Sequence, residues 1–279
     1  MTAREALAGG PLLIAHRGGS GLAPENTLAA FERAEREWAA DMIELDVRAT
    51  ADGACVVIHD ERLDRTTDGT GAVAGYTLAE LQRFDAGYRF TPDGGRTFPF
   101  RGRGVRIPTI DEVFERLPHM PLTVEVKTGA AQAPLFDAIR RHGASERVIA
   151  AGMYDADRTM FAAWRGPVSA SSEDVRSYFV FHLLRLGGFR RPRADVLQIP
   201  ETSEGRRIVT PRLLRDLAGH GVPVHVWTVD DEADMRRLLD WGVRGLISDR
   251  PDRLARVLHE RNGRPLPPGL DGPRAAASV

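Results

Sequence analysis

Lysine is almost missing from this chain: Lys127 is the only one, and arginine supplies every other strong cation. A bias that places arginine wherever either cation serves makes the surviving lysine informative. It marks a position that wants a compact ammonium rather than a planar fork. Cysteine is as scarce. Cys55 stands alone, which excludes an internal disulfide and a cysteine-built zinc site, and its apolar surroundings in sequence read as simple burial. No run approaches the roughly eighteen apolar residues of a spanning helix. The first ten residues lack a basic segment followed by an apolar one, so the expected location is cytoplasmic. A formal net charge of −1 gives no reason to expect nucleic acid or an anionic membrane as partner.

What is present is an alternation of strand and helix signals along a chain of 279 residues, the length of a single (β/α)₈ TIM barrel. Eight parallel strands are expected at 12–16, 42–46, 122–127, 148–153, 168–171, 196–200, 224–229 and 245–249. Between them, Pro24-Glu25-Asn26-Thr27 opens a helix, and Thr77 with Glu80 and Thr109 with Glu112 read as capping boxes. Thr210-Pro211 starts a further helix, and Asp230 another. A ninth strand at 54–59 follows the turn signal Asp52-Gly53. As the return arm of a hairpin it would run antiparallel and carry His59 back to the barrel mouth, facing Glu44 and Asp46. Residues 61–107 exceed an ordinary strand-to-helix connection and are expected to form a small insertion capping the catalytic face. The expected organisation is therefore one barrel over 1–262 with a disordered tail at 263–279.

Two of the strands carry charge where a buried strand should stay apolar. Side chains alternate faces along a strand, so in Ile43-Glu44-Leu45-Asp46-Val47 the two acids share one face, as do Glu125 and Lys127 in Thr123-Val124-Glu125-Val126-Lys127. The residues between them point into apolar packing. Two other strands end in histidine, at His16-Arg17-Gly18 and His59-Asp60. Three carboxylates, two histidines, an arginine and a lysine at strand ends, where barrel active sites lie, form an inventory for metal-assisted phosphate chemistry.

In order along the chain, His16-Arg17-Gly18, Pro24-Glu25-Asn26-Thr27, Ile43-Glu44-Leu45-Asp46-Val47, Asp52-Gly53, His59-Asp60, Arg65-Thr66-Thr67-Asp68-Gly69, Val124-Glu125-Val126-Lys127 and Val226-Trp227-Thr228-Val229 resemble the glycerophosphodiester phosphodiesterase family. The resemblance runs from about residue 12 to about 254. One departure is Ser248 in Leu246-Ile247-Ser248-Asp249, where threonine is commoner in the family. The resemblance implies a barrel enzyme that cuts small-molecule glycerophosphodiesters to glycerol 3-phosphate and an alcohol with one divalent metal, usually calcium or magnesium. By position it implies Glu44, Asp46 and Glu125 as metal ligands, His16 and His59 as the acid–base pair, and Arg17 and Lys127 as phosphate contacts.

Elementary chemistry agrees with these roles. Converging carboxylates repel one another, and oxygen donors of this kind suit calcium, magnesium or manganese. The rival is a closed ion network in which Arg17 and Lys127 neutralise the acids. Histidine, titrating near ~6.5, can both remove and deliver a proton near neutrality. Which histidine does which is left open, as is attack by the glycerol 2-hydroxyl against attack by water. Arg17 can bridge two phosphate oxygens. Gly18 and Gly19 would let backbone approach an anion, or simply make a turn. Trp227 could floor a glycerol pocket or fill the core, and His225 could fill the barrel interior. Other histidines (His119, His142, His182, His220 and His259) are read as structural, and Glu25 and Asn26 as fixing a helix start.

Residues 177–189, including Tyr178, Phe179, Val180, Phe181, Leu183, Leu184, Leu186 and Phe189, are apolar around most of a helical turn. They read as a barrel helix or lid, or as a patch for peripheral lipid contact that would move the substrate toward lysophospholipids. Two alternatives to the glycerophosphodiesterase reading follow: a lysophospholipase D on the same site, and a non-catalytic phosphate-binding barrel.

Overall fold

A computed structural model describes residues 1–271. Its strands are β1 (Leu12–His16), β2 (Met42–Ala49), β3 (Cys55–Val57), β4 (Leu122–Val126), β5 (Val148–Gly152), β6 (Leu197–Pro200), β7 (Thr202–Ser203), β8 (Arg206–Arg207), β9 (Val224–Trp227) and β10 (Gly245–Ser248). Seven of them pair in parallel in the order β5-β4-β2-β1-β10-β9-β6, a curled sheet of TIM-barrel type. The strand expected at 168–171 is reduced to isolated parallel bridges, Val168 with Ala150 of β5 and Ser169 with Val196 beside β6. Its sequence explains the shortening: Ser171 turns its hydroxyl to the Asp174 N–H and starts the helix Ser172–Leu183, which ends any strand there. The hairpin is as expected, with Val47 opposite Val57 and Ala49 opposite Cys55 in antiparallel register.

Strand alternation divides the apolar residues between two clusters. Leu13, Ala15, Ile43, Leu45, Val47, Val124 and Val126 face outward and join Phe31, Val113, Leu135, Leu213, Leu238 and Leu254 from the surrounding helices. Leu12, Ile14, Met42, Ile149, Val196 and Ile247 face inward, closed off by Ala3 and Ala6 of an N-terminal helix, Ala3–Ala8. Residues in line with that inward row, one step nearer the strand ends, are the charged ones.

Helix starts follow their caps: Thr27, Thr77, Thr109 and Thr210 each accept a hydrogen bond from the first turn. One start differs from expectation. Asp231, not Asp230, caps Glu232–Asp240. Asp230 is occupied elsewhere, accepting from the Ser248 hydroxyl and the Asp249 N–H at 2.8 Å each. Within 61–107, Leu63, Val73, Leu81, Ala86 and Ile107 build a small cluster with Val56 and Ile58 of the hairpin. Of the segment expected to be disordered, 263–271 carries Arg264 paired with Asp41 at 2.6 Å and a short helix, Pro268–Asp271; residues 272–279 lie outside the described residues. No helix among the described residues is long and apolar enough to cross a membrane.

Candidate functional site

Register brings the acids together. In the parallel pairing His16 of β1 stands beside Glu44 of β2, and Asp46 of β2 stands beside Glu125 of β4. Neighbouring strands are about 4.8 Å apart, so side chains in one row on the inner face must meet. Ligand oxygens of Glu44, Asp46 and Glu125 all lie within 4.8 Å of one another. His16, Arg17, His59, Lys127 and Trp227 line the same cavity, of about 580 Å³. Every residue singled out for the site by sequence is therefore present around one space.

The histidines are held alike. His16 Nδ1 donates to Asp249 Oδ1 at 2.6 Å, and His59 Nδ1 to Asp60 Oδ1 at 2.7 Å. Each ring keeps Nε2 free of these contacts; that of His16 lies 3.8 Å from Glu44 Oε2. Burial opposes charge on His16, but the Asp249 hydrogen bond and the Glu44 and Asp249 charges outweigh it, so the ring titrates above its ordinary value. Arg65 grips Asp60 at 2.5 Å and Glu25 at 2.6 and 2.7 Å, and Glu25 in turn takes Arg17 at 2.8 Å. Against the cost of burial, Arg65 and His59 draw Asp60 down to about 2. Arg48, on the same face of β2 as the acids, donates to the His59 carbonyl at 2.8 Å and fixes that turn.

The carboxylates are unequal. Burial, then the Asp46 charge, pushes Glu44 up to about 7. Burial presses Asp46 the same way, but Lys127 at 3.0 Å and Arg17 at 3.4 Å reverse the direction and hold it below its ordinary value. Asn26 adds to this, donating to Asp46 Oδ2 at 2.9 Å and accepting from the Asp46 N–H at 3.2 Å. Lys127 Nζ also lies 2.9 Å from Glu125 Oε1, yet without hydrogen-bond alignment, which leaves that buried oxygen without a donor. Burial disfavours the Lys127 charge, but Asp46 and Glu125 more than compensate and raise its pKa.

Glu25, Asn26, Asp60, Arg65, Asp230 and Asp249 take part without being assigned site roles from sequence. The pairs His59-Asp60 and His16 with Asp249 could have been suspected only for His59, whose partner is adjacent; Asp249 reaches His16 across 233 positions. Gly18 and Gly19 are explained by packing. At φ of 87° and 92°, a Cβ on Gly18 would stand 2.7 Å from Ala30 Cβ, and one on Gly19 2.8 Å from Pro251. Of the other histidines, His142, His182, His220 and His259 bond to Asp111, Asp216 and the carbonyls of Gly187 and Arg264.

His225 does fill the interior. It is fully buried, its Nε2 has no partner, and burial alone lowers its pKa to about 3. Because that value lies below the unfolded one near 6.5, the neutral ring's contribution is complete above pH ~6.5 and is lost as pH falls toward 3. Between pH 7.5 and 5 this amounts to about 2 kcal/mol. Thermal melts at the two pH values are expected to show a smaller acid loss for His225→Gln than for the wild type; an equal loss would contradict the assignment.

Comparison with known proteins places this geometry. The model of the glycerophosphoryl diester phosphodiesterase family matches residues 16–253. The chain is 37% identical over 261 residues to a glycerophosphodiester phosphodiesterase of Caldanaerobacter subterraneus, covering 89% of this chain and 98% of that one. It is 31% identical over 272 residues to a glycerophosphodiester phosphodiesterase of Bacillus subtilis, covering 88% and 86%. Among solved structures, an Oleispira antarctica phosphodiesterase in complex with the product sn-glycerol-3-phosphate superposes with a TM-score of 0.71 at 25% identity, covering 89% of this chain and 97% of that one. The glycerophosphoryl diester phosphodiesterase domain of a Mycobacterium tuberculosis protein gives a TM-score of 0.79 at 23% identity, covering 90% and 99%, a likeness of fold.

Proposed function

Since the chain belongs to the glycerophosphoryl diester phosphodiesterase family of phosphoric diester hydrolases, we propose that it hydrolyses glycerophosphodiesters to glycerol 3-phosphate and an alcohol with a divalent metal and two histidines. The observation that carries the metal is an imbalance of charge. Among the described residues, Glu44, Asp46 and Glu125 line the cavity and Glu25, Asp60 and Asp249 stand behind its Arg17, His59 and His16, six carboxylates against the permanent cations Arg17, Arg48, Arg65 and Lys127. Such a site repels a phosphodiester anion. At about 5 Å each carboxylate pair costs roughly 3 kcal/mol at an effective dielectric near 20. The closed ion network is therefore incomplete: Lys127 neutralises part of the cluster, Glu44 is pushed toward the neutral form, and a Glu125 oxygen lacks a donor.

Glu44, Asp46 and Glu125 fit a hard divalent cation, calcium, magnesium or manganese, by donor type and convergence. When bound, that cation would supply positive charge to offset the charge developing on the phosphate and would make a nearby hydroxyl more acidic. The protein's own groups do the rest. Arg17 and Lys127 orient the phosphate. His16 and His59, each with Nδ1 committed to an aspartate, use Nε2 to take the proton of the attacking hydroxyl and to give one to the leaving alkoxide. Asp249 and Asp60 are positioning residues, since each fixes the tautomer that leaves Nε2 available. Asp249→Asn is expected to lower kcat by about 10–100-fold with little change in KM. A pH–rate profile with an unshifted limb, or unchanged kcat, would remove Asp249 from this role.

We read 168–169 as the eighth stave of a full (β/α)₈ barrel and 61–107 as an insertion at its catalytic end, a reading supported by Arg65 reaching back to Glu25 and Asp60. Release of glycerol 3-phosphate from glycerophosphocholine by the purified protein tests the function. No release with any of the three metals would move the reading first to lysophospholipids as substrates, and failure there too would leave the phosphate-binding barrel in its place.

A further inference from the structure

One cation beside the site touches neither the cavity nor a metal ligand. Arg65 is half-exposed and does not line the space that holds Arg17, His59 and the three acids. Its backbone is nonetheless held on both sides. Leu63 and Thr67 are fully buried, the Thr66 and Thr67 N–H groups donate to the Leu63 carbonyl, and so does the Thr67 hydroxyl, at 2.9 Å. Leu63 packs with Val56 and Ile58 of the hairpin that carries His59. The arginine therefore leaves a pinned turn of the 61–107 segment and reaches back to Glu25, 40 positions earlier in the chain.

Its fork closes on Glu25, Nη1 to Oε2 at 2.6 Å and Nη2 to Oε1 at 2.7 Å, while Nε goes to Asp60 Oδ2 at 2.5 Å. Both acids hand the contact on. Asp60 Oδ1 takes His59 Nδ1 at 2.7 Å, and Glu25 Oε1 takes Arg17 Nη1 at 2.8 Å. The line is unbroken from His59 through one guanidinium to Arg17. At its far end Glu25 occupies only Nη1 and leaves the Nε–Nη2 edge of Arg17, whose Nε has no hydrogen-bond partner, for a bidentate anion. Burial presses Glu25 upward, but Arg65 and Arg17 outweigh it and hold its carboxyl below the ordinary value. His16 has no such support: Asp249 holds its Nδ1, and no arginine hydrogen-bonds that carboxylate among the described residues.

We infer that Arg65 is a positioning residue for both the phosphate contact Arg17 and the proton carrier His59, setting one against the other without touching substrate. An isolated exposed ion pair contributes little, but a fork that binds two part-buried carboxylates at once fixes both. Lysine cannot take its place, because one ammonium lacks the planar three-nitrogen span between Glu25 and Asp60. The inference rests on the hydrolase reading above and adds a residue to it. With Arg65 removed, Asp60 is free to leave the His59 Nδ1, and proton transfer suffers. Glu25 is equally free to turn from Arg17, and phosphate binding suffers. A fall in kcat and a rise in KM should thus come from one substitution at a residue outside the cavity.

The test compares Arg65→Gln and Arg65→Lys with the wild type in glycerol 3-phosphate release from glycerophosphocholine by the metal-loaded protein. Each variant should lower kcat and raise KM, both by about tenfold or more. An effect confined to one of the two overturns the inference, as does activity restored by lysine, which would mean that charge alone suffices. In the Arg65→Gln background, Asp60→Asn should cost little further in kcat and Glu25→Gln little further in KM, as groups acting in one line do. Fully additive losses would overturn it. Ring-nitrogen NMR spectra separate positioning from general loosening: Arg65→Gln should let His59 exchange between tautomers while His16 keeps one. Both rings unchanged, or both altered alike, would contradict the role. If the wild type cleaves no diester, the hydrolase reading fails, and the spectra together with calorimetric titration of glycerol 3-phosphate still decide. An altered His59 ring with about tenfold weaker affinity in Arg65→Gln supports the bridge; either one left unchanged overturns it. Should Arg65→Gln not fold, Arg65→Lys carries the same measurements with the same expected results.

Discussion

His16→Ala is expected to lower kcat for glycerophosphodiester hydrolysis by about 10²–10⁴-fold, with His59→Ala in the same range. The reasoning starts from β1, whose alternation places Leu12, Ile14 and His16 on the inner face and so sets the ring at the strand end, beside Glu44. Asp249 holds Nδ1, so the ring is oriented before substrate arrives and has one nitrogen for proton transfer. Alanine removes that nitrogen and leaves Asp249 without its partner, while Asp249 stays tied through its N–H to Asp230. The effect should therefore fall on kcat rather than on the melting temperature or on KM. Asp249→Asn, which keeps the ring but loosens its tautomer, should cost less than His16→Ala. Both histidine variants turning over at the wild-type rate would contradict the acid–base assignment.

Stripping the metal is expected to have a comparable effect on turnover and a separate one on stability. A cation that binds only the folded chain stabilises it by about 2.7 kcal/mol at a hundredfold excess over its Kd. For a chain of this size that is a rise in Tm of roughly 5 °C. Glu44→Gln makes the sign distinctive. In metal-free protein it removes a buried carboxylate that burial and Asp46 already press toward neutrality, so the metal-free Tm should stay level or rise. The same variant loses a ligand, so the rise produced by calcium or magnesium should shrink. Glu125→Gln should shrink it as well. A metal-induced shift undiminished in both variants would mean that the cation sits elsewhere.

Much of this arrangement is legible from the chain because strand alternation is a strong constraint. Once Ile43, Leu45 and Val47 are buried, Glu44 and Asp46 have only the inner face left, and the same holds for Glu125 between Val124 and Val126. The hairpin was legible from Asp52-Gly53, and with it the return of His59 to the acids. Less accessible were residues whose partners lie far along the chain. Asn26 reads locally as part of a helix start, yet the cap is Thr27, and Asn26 serves Asp46 through both its amide and its carbonyl. Asp230 reads as a cap, yet its neighbour takes that task and Asp230 braces the turn that carries Asp249. The stave expected at 168–171 shrinks to isolated bridges for a local reason, because Ser171 is already a helix cap. Glycines 18 and 19 were open between turn and anion contact, and the packing of Ala30 and Pro251 decides for the turn.

The most direct test of the central claim is glycerol 3-phosphate release from glycerophosphocholine by protein stripped with EDTA and then given calcium, magnesium or manganese, with His16→Ala alongside. The expected result is no release in EDTA, restored release with at least one of the metals, and a loss of about 10²–10⁴-fold in His16→Ala under the same conditions. Full release in EDTA, or release undiminished by His16→Ala, would contradict the account of three carboxylates holding a metal beside two proton-transferring histidines.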